Sequence, residues 1–171
     1  MKTLWIHGMN ASPNEEKIAT MKSHGLEVDA LHLDYGKEPR SFEILRDHII
    51  KNSIEFLVGS SYGGFLAFWL SEELGLPCLL INPAVSQRLR ERTRPNLTGL
   101  RSKLCIVALG NDDDKIDPKR THQFMEEDRR DGKTIVVKIW EMEGHNFSPK
   151  AFNEIIKWGL EELQKFKEAN H

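Results

Sequence analysis

The chain of 171 residues is long enough for one compact domain with its own buried core, so we expect a single domain over residues 1–171. Its formal net charge of -2 comes from interspersed acidic and basic residues, without the dominant basic field of proteins that bind nucleic acids or anionic membranes. Small molecules are therefore the expected partners. The N-terminal apolar run is too short for a secretory signal and no run approaches membrane-spanning length, so we expect a cytoplasmic location.

The first half of the chain alternates short apolar runs with helical patterns. The predicted strands cover residues 3–6, 26–33 and 54–58. A capping pattern that begins at Ser12 predicts a helix from there to about residue 24, and apolar residues recur at helical spacing over 42–50. The helical pattern that follows the third strand is apolar on most sides, so we expect this helix to be buried.

The second half of the chain continues the alternation. Residues 78–81 predict a fourth strand, after which the pattern lapses until about residue 101, as in a loop or a small cap. A fifth strand over 104–109 leads into an acidic loop and then a helix, and a sixth strand over 135–140 precedes the last helix. Such alternation favours a parallel sheet covered by helices on both faces, with ligands bound at the carboxyl ends of the strands.

A nucleophile elbow is the motif around which the predicted site is organised. Gly59, Ser61 and Gly63 form the pattern GxSxG between the third strand and its helix. In such an elbow the serine lies on a strained turn that exposes its hydroxyl, and the glycines avoid clashes where strand and helix meet. We therefore predict Ser61 as the nucleophile.

A serine nucleophile needs a base and an acid that orients the base. His145 follows the last strand in a glycine-containing loop and is the preferred base. For the acid we favour Asp114, because an apolar residue two positions later can anchor its loop, with Asp113 as the alternative. Asp117 is assigned instead to capping the helix that begins at the next residue, a proline.

The oxyanion of an acyl-transfer intermediate needs donors, which backbone amides can provide. One predicted donor is the amide of Tyr62, directly after the nucleophile, and the other is that of Met9 in the loop after the first strand. Gly8 is expected to let that loop turn close to the substrate. His7, which precedes it, is interpreted as a residue that shapes the loop.

With these motifs in place, the chain resembles the YqiA-like family of small bacterial α/β-hydrolase esterases. The similarity lies in five segments, namely residues 6–13, 59–64, 82–85, 114–116 and 144–147. It implies a three-layer α/β-hydrolase fold with a mainly parallel six-stranded sheet in the order 2-1-3-4-5-6 and a minimal cap. It also implies a serine esterase for small carboxylic esters, with Ser61, Asp114 and His145 as its triad and without a metal or organic cofactor.

The segment over residues 86–100 is shorter and richer in arginine than we expect for that family. Its arginines lead to the hypothesis that a cap holds an anionic group of the substrate; they are Arg88, Arg90, Arg92 and Arg94. Hydrolysis of thioesters or amides on the same scaffold is an alternative function, as is a non-catalytic interaction protein. A nucleotide-binding module is disfavoured because no GxGxxG follows the first strand.

Overall fold

The structure, a computed structural model, describes residues 1–86, 101–129 and 132–170. Its strands are β1 (Lys2–Ile6), β2 (Glu27–Ala30), β3 (Phe56–Ser60), β4 (Cys78–Ile81), β5 (Leu104–Gly110) and β6 (Thr134–Trp140). Its helices are α1 (Glu15–Ser23), α2 (Ser41–Asn52), α3 (Tyr62–Leu74), α4 (Pro118–Glu127) and α5 (Pro149–Ala169). The predicted cap and its arginines at residues 88, 90, 92 and 94 lie outside the described residues.

The strands form one sheet in the order β2-β1-β3-β4-β5-β6, and every neighbouring pair in it is parallel. The predicted sheet and strand order are therefore confirmed. Ile6 pairs with Gly59, Ser60 with Ile81, and Gly110 with Trp140. The carboxyl ends of these strands consequently meet at one edge, which brings together the loops that follow them.

Two apolar layers cover the sheet, and the strands supply alternate residues to each. Leu57 packs in the layer with α3, whereas Phe56 and Val58 pack in the opposite layer with the apolar face of α5. This explains why β3 is apolar at consecutive positions, since a strand buried on both faces has no polar side. Helix α3 is buried along most of its length, as the sequence predicts.

Two local predictions require correction. Helix α1 begins at Glu15 and is capped by Asn14, whose side chain accepts from the Lys17 amide, and not by Ser12. Strand β2 ends at Ala30 although apolar alternation continues to Leu33. The amide of Leu33 instead donates to the side chain of His7, which draws this segment away from the sheet and over the end of β1.

The amino-terminal edge of the sheet holds a buried ionic cluster. The ammonium group of Lys133 donates to Glu72 at 2.8 Å and also to Asp128, and the side chains of Lys133 and Glu72 are 1% and 2% exposed. Arg101 approaches Glu72 at 3.5 Å from the solvent side, and its amide donates to the Glu72 carbonyl. The cluster thereby joins the end of α3 to the starts of β5 and β6, far from the loops at the carboxyl edge.

Replacing Lys133 with alanine should lower the free energy of unfolding by about 3 kcal/mol or more, because the buried carboxylate of Glu72 loses its most buried cation. Urea denaturation of the two proteins measures this difference. The matched control is Lys165→Ala, which removes the ion pair of an exposed helix-surface lysine with Glu162 and should have a much smaller effect. Equal effects of the two substitutions would contradict the structural role assigned to the cluster.

Candidate active site

Ser61 lies between β3 and α3 in a backbone conformation that non-glycine residues rarely adopt. Its φ of 55° and ψ of -118° reverse the chain direction between the strand and the helix. The Ser61 amide donates to the Ile81 carbonyl at 3.0 Å, and the Ser61 carbonyl accepts from the amide of Ala84 at 2.9 Å. Bonds on both sides to the end of β4 and the turn after it thus hold the serine at the carboxyl edge of the sheet.

The two glycines of the motif are needed because backbone atoms approach too closely for any side chain. A Cβ added at Gly63 would lie 2.1 Å from the Ile6 carbonyl oxygen, and one added at Gly59 would lie 2.4 Å from the Gly63 carbonyl oxygen. Gly8 differs from both. A Cβ there would meet Ser61 Cβ at 3.4 Å, an ordinary contact, and its backbone does not have a left-handed φ. Gly8 therefore lies directly against the serine, but the turn does not require glycine conformationally.

A continuous chain of hydrogen bonds connects Ser61, His145 and Asp113. His145 Nε2 lies 3.1 Å from Ser61 Oγ, and His145 Nδ1 lies 2.9 Å and 3.1 Å from the two carboxylate oxygens of Asp113. With Asp113 ionised, Nδ1–H donates to the carboxylate and Nε2 is left to accept from the serine hydroxyl. The Asp113 side chain is fully buried and that of His145 is 13% exposed.

The structure places Asp113, and not Asp114, against His145, which corrects the preferred choice from the sequence. Asp113 Oδ1 also accepts from the amides of Lys115 and Ile116, each at 2.9 Å, so the loop closes around its carboxylate. Ile116 anchors the loop in the apolar interior, as the sequence argument requires, but three residues after the acid instead of two. Asp114 points outward as an exposed residue, and Asp117 caps α4 as predicted.

Asn82 is a positioning residue that sequence reasoning did not single out. It is 1% exposed, and its side-chain amide donates to the carbonyls of Gly144 at 3.0 Å and His145 at 2.9 Å. Its Oδ1 accepts from the amide of Gly110 at 2.8 Å. Asn82 therefore fixes the loop that bears His145 to the end of β5. The sequence feature that could have identified Asn82 is a polar residue between an apolar strand and a proline, at the edge where ligands bind.

The loop after β1 is held by His7, as its interpretation from the sequence implies. Because the Leu33 amide donates to His7 Nε2 at 3.1 Å, the proton is on Nδ1, which donates to the Gly8 carbonyl at 2.8 Å. Burial lowers the pKa of His7, which favours this neutral form. Tyr35 adds a bond from its hydroxyl to the His7 carbonyl at 2.8 Å.

The contacts of the loop after β1 also affect the direction of the Met9 amide, one of the two predicted oxyanion donors. In a trans peptide the carbonyl and the following amide point in opposite directions, so the anchored Gly8 carbonyl directs the Met9 amide away from the His7 ring. Tyr62 is the first residue of α3, where amides have no acceptor within the helix. Tyr62 thus begins the helix directly after Ser61, and Met9 follows Gly8, which packs against Ser61 in the loop after β1. Their role as donors remains a prediction.

In the part of the chain that the structure describes, no helix is both long and apolar enough to cross a membrane. Across the same ranges, no group of three or more His, Cys, Asp or Glu side chains is arranged to hold a metal ion.

Strand order, elbow and loop placement define an α/β-hydrolase fold, and comparison with solved structures supports this. SOBER1 of Arabidopsis thaliana superimposes with a TM-score of 0.68 at 17% identity, over 95% of this chain and 99% of that one. A monoacylglycerol lipase of Paleococcus ferrophilus gives 0.68 at 15% identity over 94% of each chain. An α/β serine hydrolase without lid from Xanthomonas campestris gives 0.64 at 13% identity, over 94% of this chain and 82% of that one.

The sequence model of UPF0227, an uncharacterised protein family, matches residues 2–99, and the chain belongs to this family. The resemblance to the YqiA-like family is thereby confirmed. The matched region contains the loop after β1 and the nucleophile elbow. It ends before Asp113 and His145, so the assignment of these two residues depends on the geometry described above.

Substituting Gly63 with alanine should lower the free energy of unfolding by about 2 kcal/mol or more, because its Cβ would overlap the backbone of β1. Gly8→Ala is the matched control, with an expected cost of no more than about 0.5 kcal/mol. Chemical denaturation compares the two variants with the unsubstituted protein. A Gly63 variant as stable as the Gly8 variant would be inconsistent with this packing of β1 against the elbow.

Proposed function

We propose that the protein is a serine hydrolase that cleaves small carboxylic esters through an acyl-enzyme intermediate. The observation that carries the proposal is the buried hydrogen-bond chain from Asp113 through His145 to Ser61. A hydroxyl aligned in this way can lose its proton to imidazole as it attacks, while the carboxylate fixes the tautomer and stabilises the imidazolium that forms.

In the first half-reaction, Ser61 Oγ forms a bond to the ester carbonyl carbon as His145 Nε2 takes its proton. Negative charge develops on the carbonyl oxygen, and the amides of Met9 and Tyr62 are the proposed donors to it. The tetrahedral intermediate then expels the alcohol, which receives the proton from His145. The product is an ester between the acyl group and Ser61.

In the second half-reaction, His145 removes a proton from water as the water oxygen attacks the acyl carbon. A second tetrahedral intermediate forms at the same donors and collapses when the proton passes to Ser61 Oγ. The carboxylic acid leaves and the starting state returns. Each proton that His145 takes up is released again within the cycle. The acid, the base and the nucleophile are therefore the only reacting protein groups that the cycle requires.

The similar structures support hydrolysis as the reaction class, since they include a lipase and a serine hydrolase without lid. Thioesters and amides can react by the same steps and are the alternative substrates. The aligned acid, base and nucleophile argue against a non-catalytic interaction protein, which has no need for this alignment.

A panel of p-nitrophenyl esters of increasing acyl length tests the proposal, together with a thioester and an anilide of the best acyl group. We expect the short esters to be hydrolysed and Ser61→Ala to reduce the rate to background, because the acyl-enzyme can no longer form. Labelling with a fluorophosphonate probe should likewise disappear in this variant. Ester hydrolysis that survives Ser61→Ala would refute the mechanism.

A second test separates the two neighbouring aspartates. Asp113→Asn should lower kcat/KM by about 10⁴-fold, because an amide no longer holds His145 in the tautomer that accepts the serine proton. Asp114→Asn removes a nearby exposed carboxylate and should change kcat/KM by no more than about twofold. Steady-state kinetics on the preferred ester measures both. A larger loss in the Asp114 variant would instead identify Asp114, the residue favoured from the sequence, as the acid.

A further inference from the structure

A cleft of about 460 Å³ opens next to residues that adjoin Ser61 and His145, on the side of the sheet that α1 and α5 cover. Its lining includes Gly8, Ser60 and Asn146. Gly8 lies against Ser61, Ser60 directly precedes it, and Asn146 directly follows His145. A substrate whose carbonyl group reaches Ser61 can therefore extend another part of itself into this cleft.

The cleft continues along α1. A second depression of about 300 Å³ shares Asn14, Lys17 and Asn146 with the first and extends to Phe152 on α5. Lys17 is thus part of the wall of both cavities. It is the only lysine or arginine lining either of them among the described residues.

The ammonium group of Lys17 is partly buried over two aromatic rings. Its Nζ lies 5.7 Å from the centre of the Trp5 ring and 5.4 Å from that of Phe152. The salt bridges within the described ranges do not include Lys17. Burial lowers its pKa, and the nearby carboxylate of Glu16 offsets only part of this effect. A charged amine at this position would be stabilised by an anion in the cleft.

The first cavity and its neighbour are also bordered by two carboxylates and by a buried indole. Glu15 and Glu16 border the cavities, but both are exposed residues in the first turn of α1. Trp5 lines the first cavity, and its buried indole N–H donates to no acceptor among the described residues. That N–H has almost no accessible surface, so Lys17, and not the indole, is the donor of this wall that a ligand in the cleft can reach.

We propose that Lys17 binds an anionic group, a carboxylate or a phosphate, on the substrate whose ester bond is cleaved at Ser61. The proposal deepens the proposed function and rests on it for the identity of the reaction. The two aromatic rings hold the lysine stem at the wall of the cleft while its ammonium group pairs with the anion. The substrate class is accordingly a small ester that carries a negative charge away from the reacting carbonyl.

Kinetic discrimination between two matched esters tests the site. p-Nitrophenyl hemiglutarate ends in a carboxylate where p-nitrophenyl valerate ends in a methyl group, and both release the same alcohol. Lys17→Met keeps an apolar stem over the rings and should lower kcat/KM for the hemiglutarate by about tenfold, mainly through KM, a change of about 1.4 kcal/mol. The valerate should be nearly unaffected, and Lys17→Arg should restore preference for the charged ester.

Lys22→Met is the matched control, since Lys22 is an exposed lysine on the same helix that lines neither cavity. It should leave the ratio of the two kcat/KM values unchanged. An equal loss on both esters in the Lys17 variant, or the same change in the ratio in both lysine variants, would overturn the proposal.

Binding measured without catalysis separates failure of this site from failure of the proposed function. Isothermal titration of the protein with glutarate, with inorganic phosphate and with neutral butyramide reports anion binding directly. Tighter binding of either anion that is lost in Lys17→Met supports the site, and the preferred anion identifies carboxylate or phosphate chemistry. Failure of both anions to bind, or binding that survives Lys17→Met, rejects the site even if the esters are hydrolysed. Anion binding without ester hydrolysis would instead reject the reaction and leave the site standing.

Discussion

The architecture depends on holding one serine in a strained backbone conformation at the edge of a buried sheet. A non-glycine residue in such a conformation costs on the order of 1–3 kcal/mol, so the surrounding structure must stabilise it. For Ser61 the stabilisation comes from bonds on both sides to the segment around Ile81 and Ala84, and from glycine backbones packed in contact on either side. Strand β3 and helix α3, which flank the serine, are themselves mostly buried.

The groups that face this serine come from different elements and are held by different means. His145 is oriented from behind by a fully buried carboxylate, and its loop is fixed by the side chain of Asn82. On the other side, the loop after β1 is fixed by a neutral His7 and by the hydroxyl of Tyr35. None of these contacts requires a long side chain in solvent. The hydrogen-bonded chain is thus organised by the same burial that stabilises the sheet.

The sequence predicted the features that periodicity and glycine sterics determine. The buried α3 and the position of His145 after the last strand follow from where apolar runs end and small or polar residues begin, whereas the strand order came from the family resemblance. The prediction of the acid was wrong because moving the assignment by one residue leaves the sequence pattern unchanged. Asp113 and Asp114 are chemically identical neighbours, and what selects between them is the set of bonds that Asp113 makes to His145 and to the amides of Lys115 and Ile116. Such bonds depend on loop dihedral angles, which residue type alone does not specify.

The same limit explains the other two corrections and the residue that was missed. Ser12 and Asn14 are both good caps, and the choice of Asn14 depends on how the chain leaves β1. The alternation up to Leu33 suggested a longer strand, but the side chain of His7 competes for that backbone. Asn82 acts entirely through contacts with residues more than 25 positions away along the chain.

Asn82 has a consequence for how the site responds to thermal motion. Because the buried side-chain amide of Asn82 bonds to the end of β5 and to the loop after β6, the strand that leads to Asp113 and the loop that bears His145 are both fixed to one residue directly after β4. A fluctuation of that edge therefore displaces acid and base together. The distance between the Asp113 carboxylate and the His145 imidazole is then preserved while both groups move. Their alignment can therefore persist even when the loops themselves are not rigid.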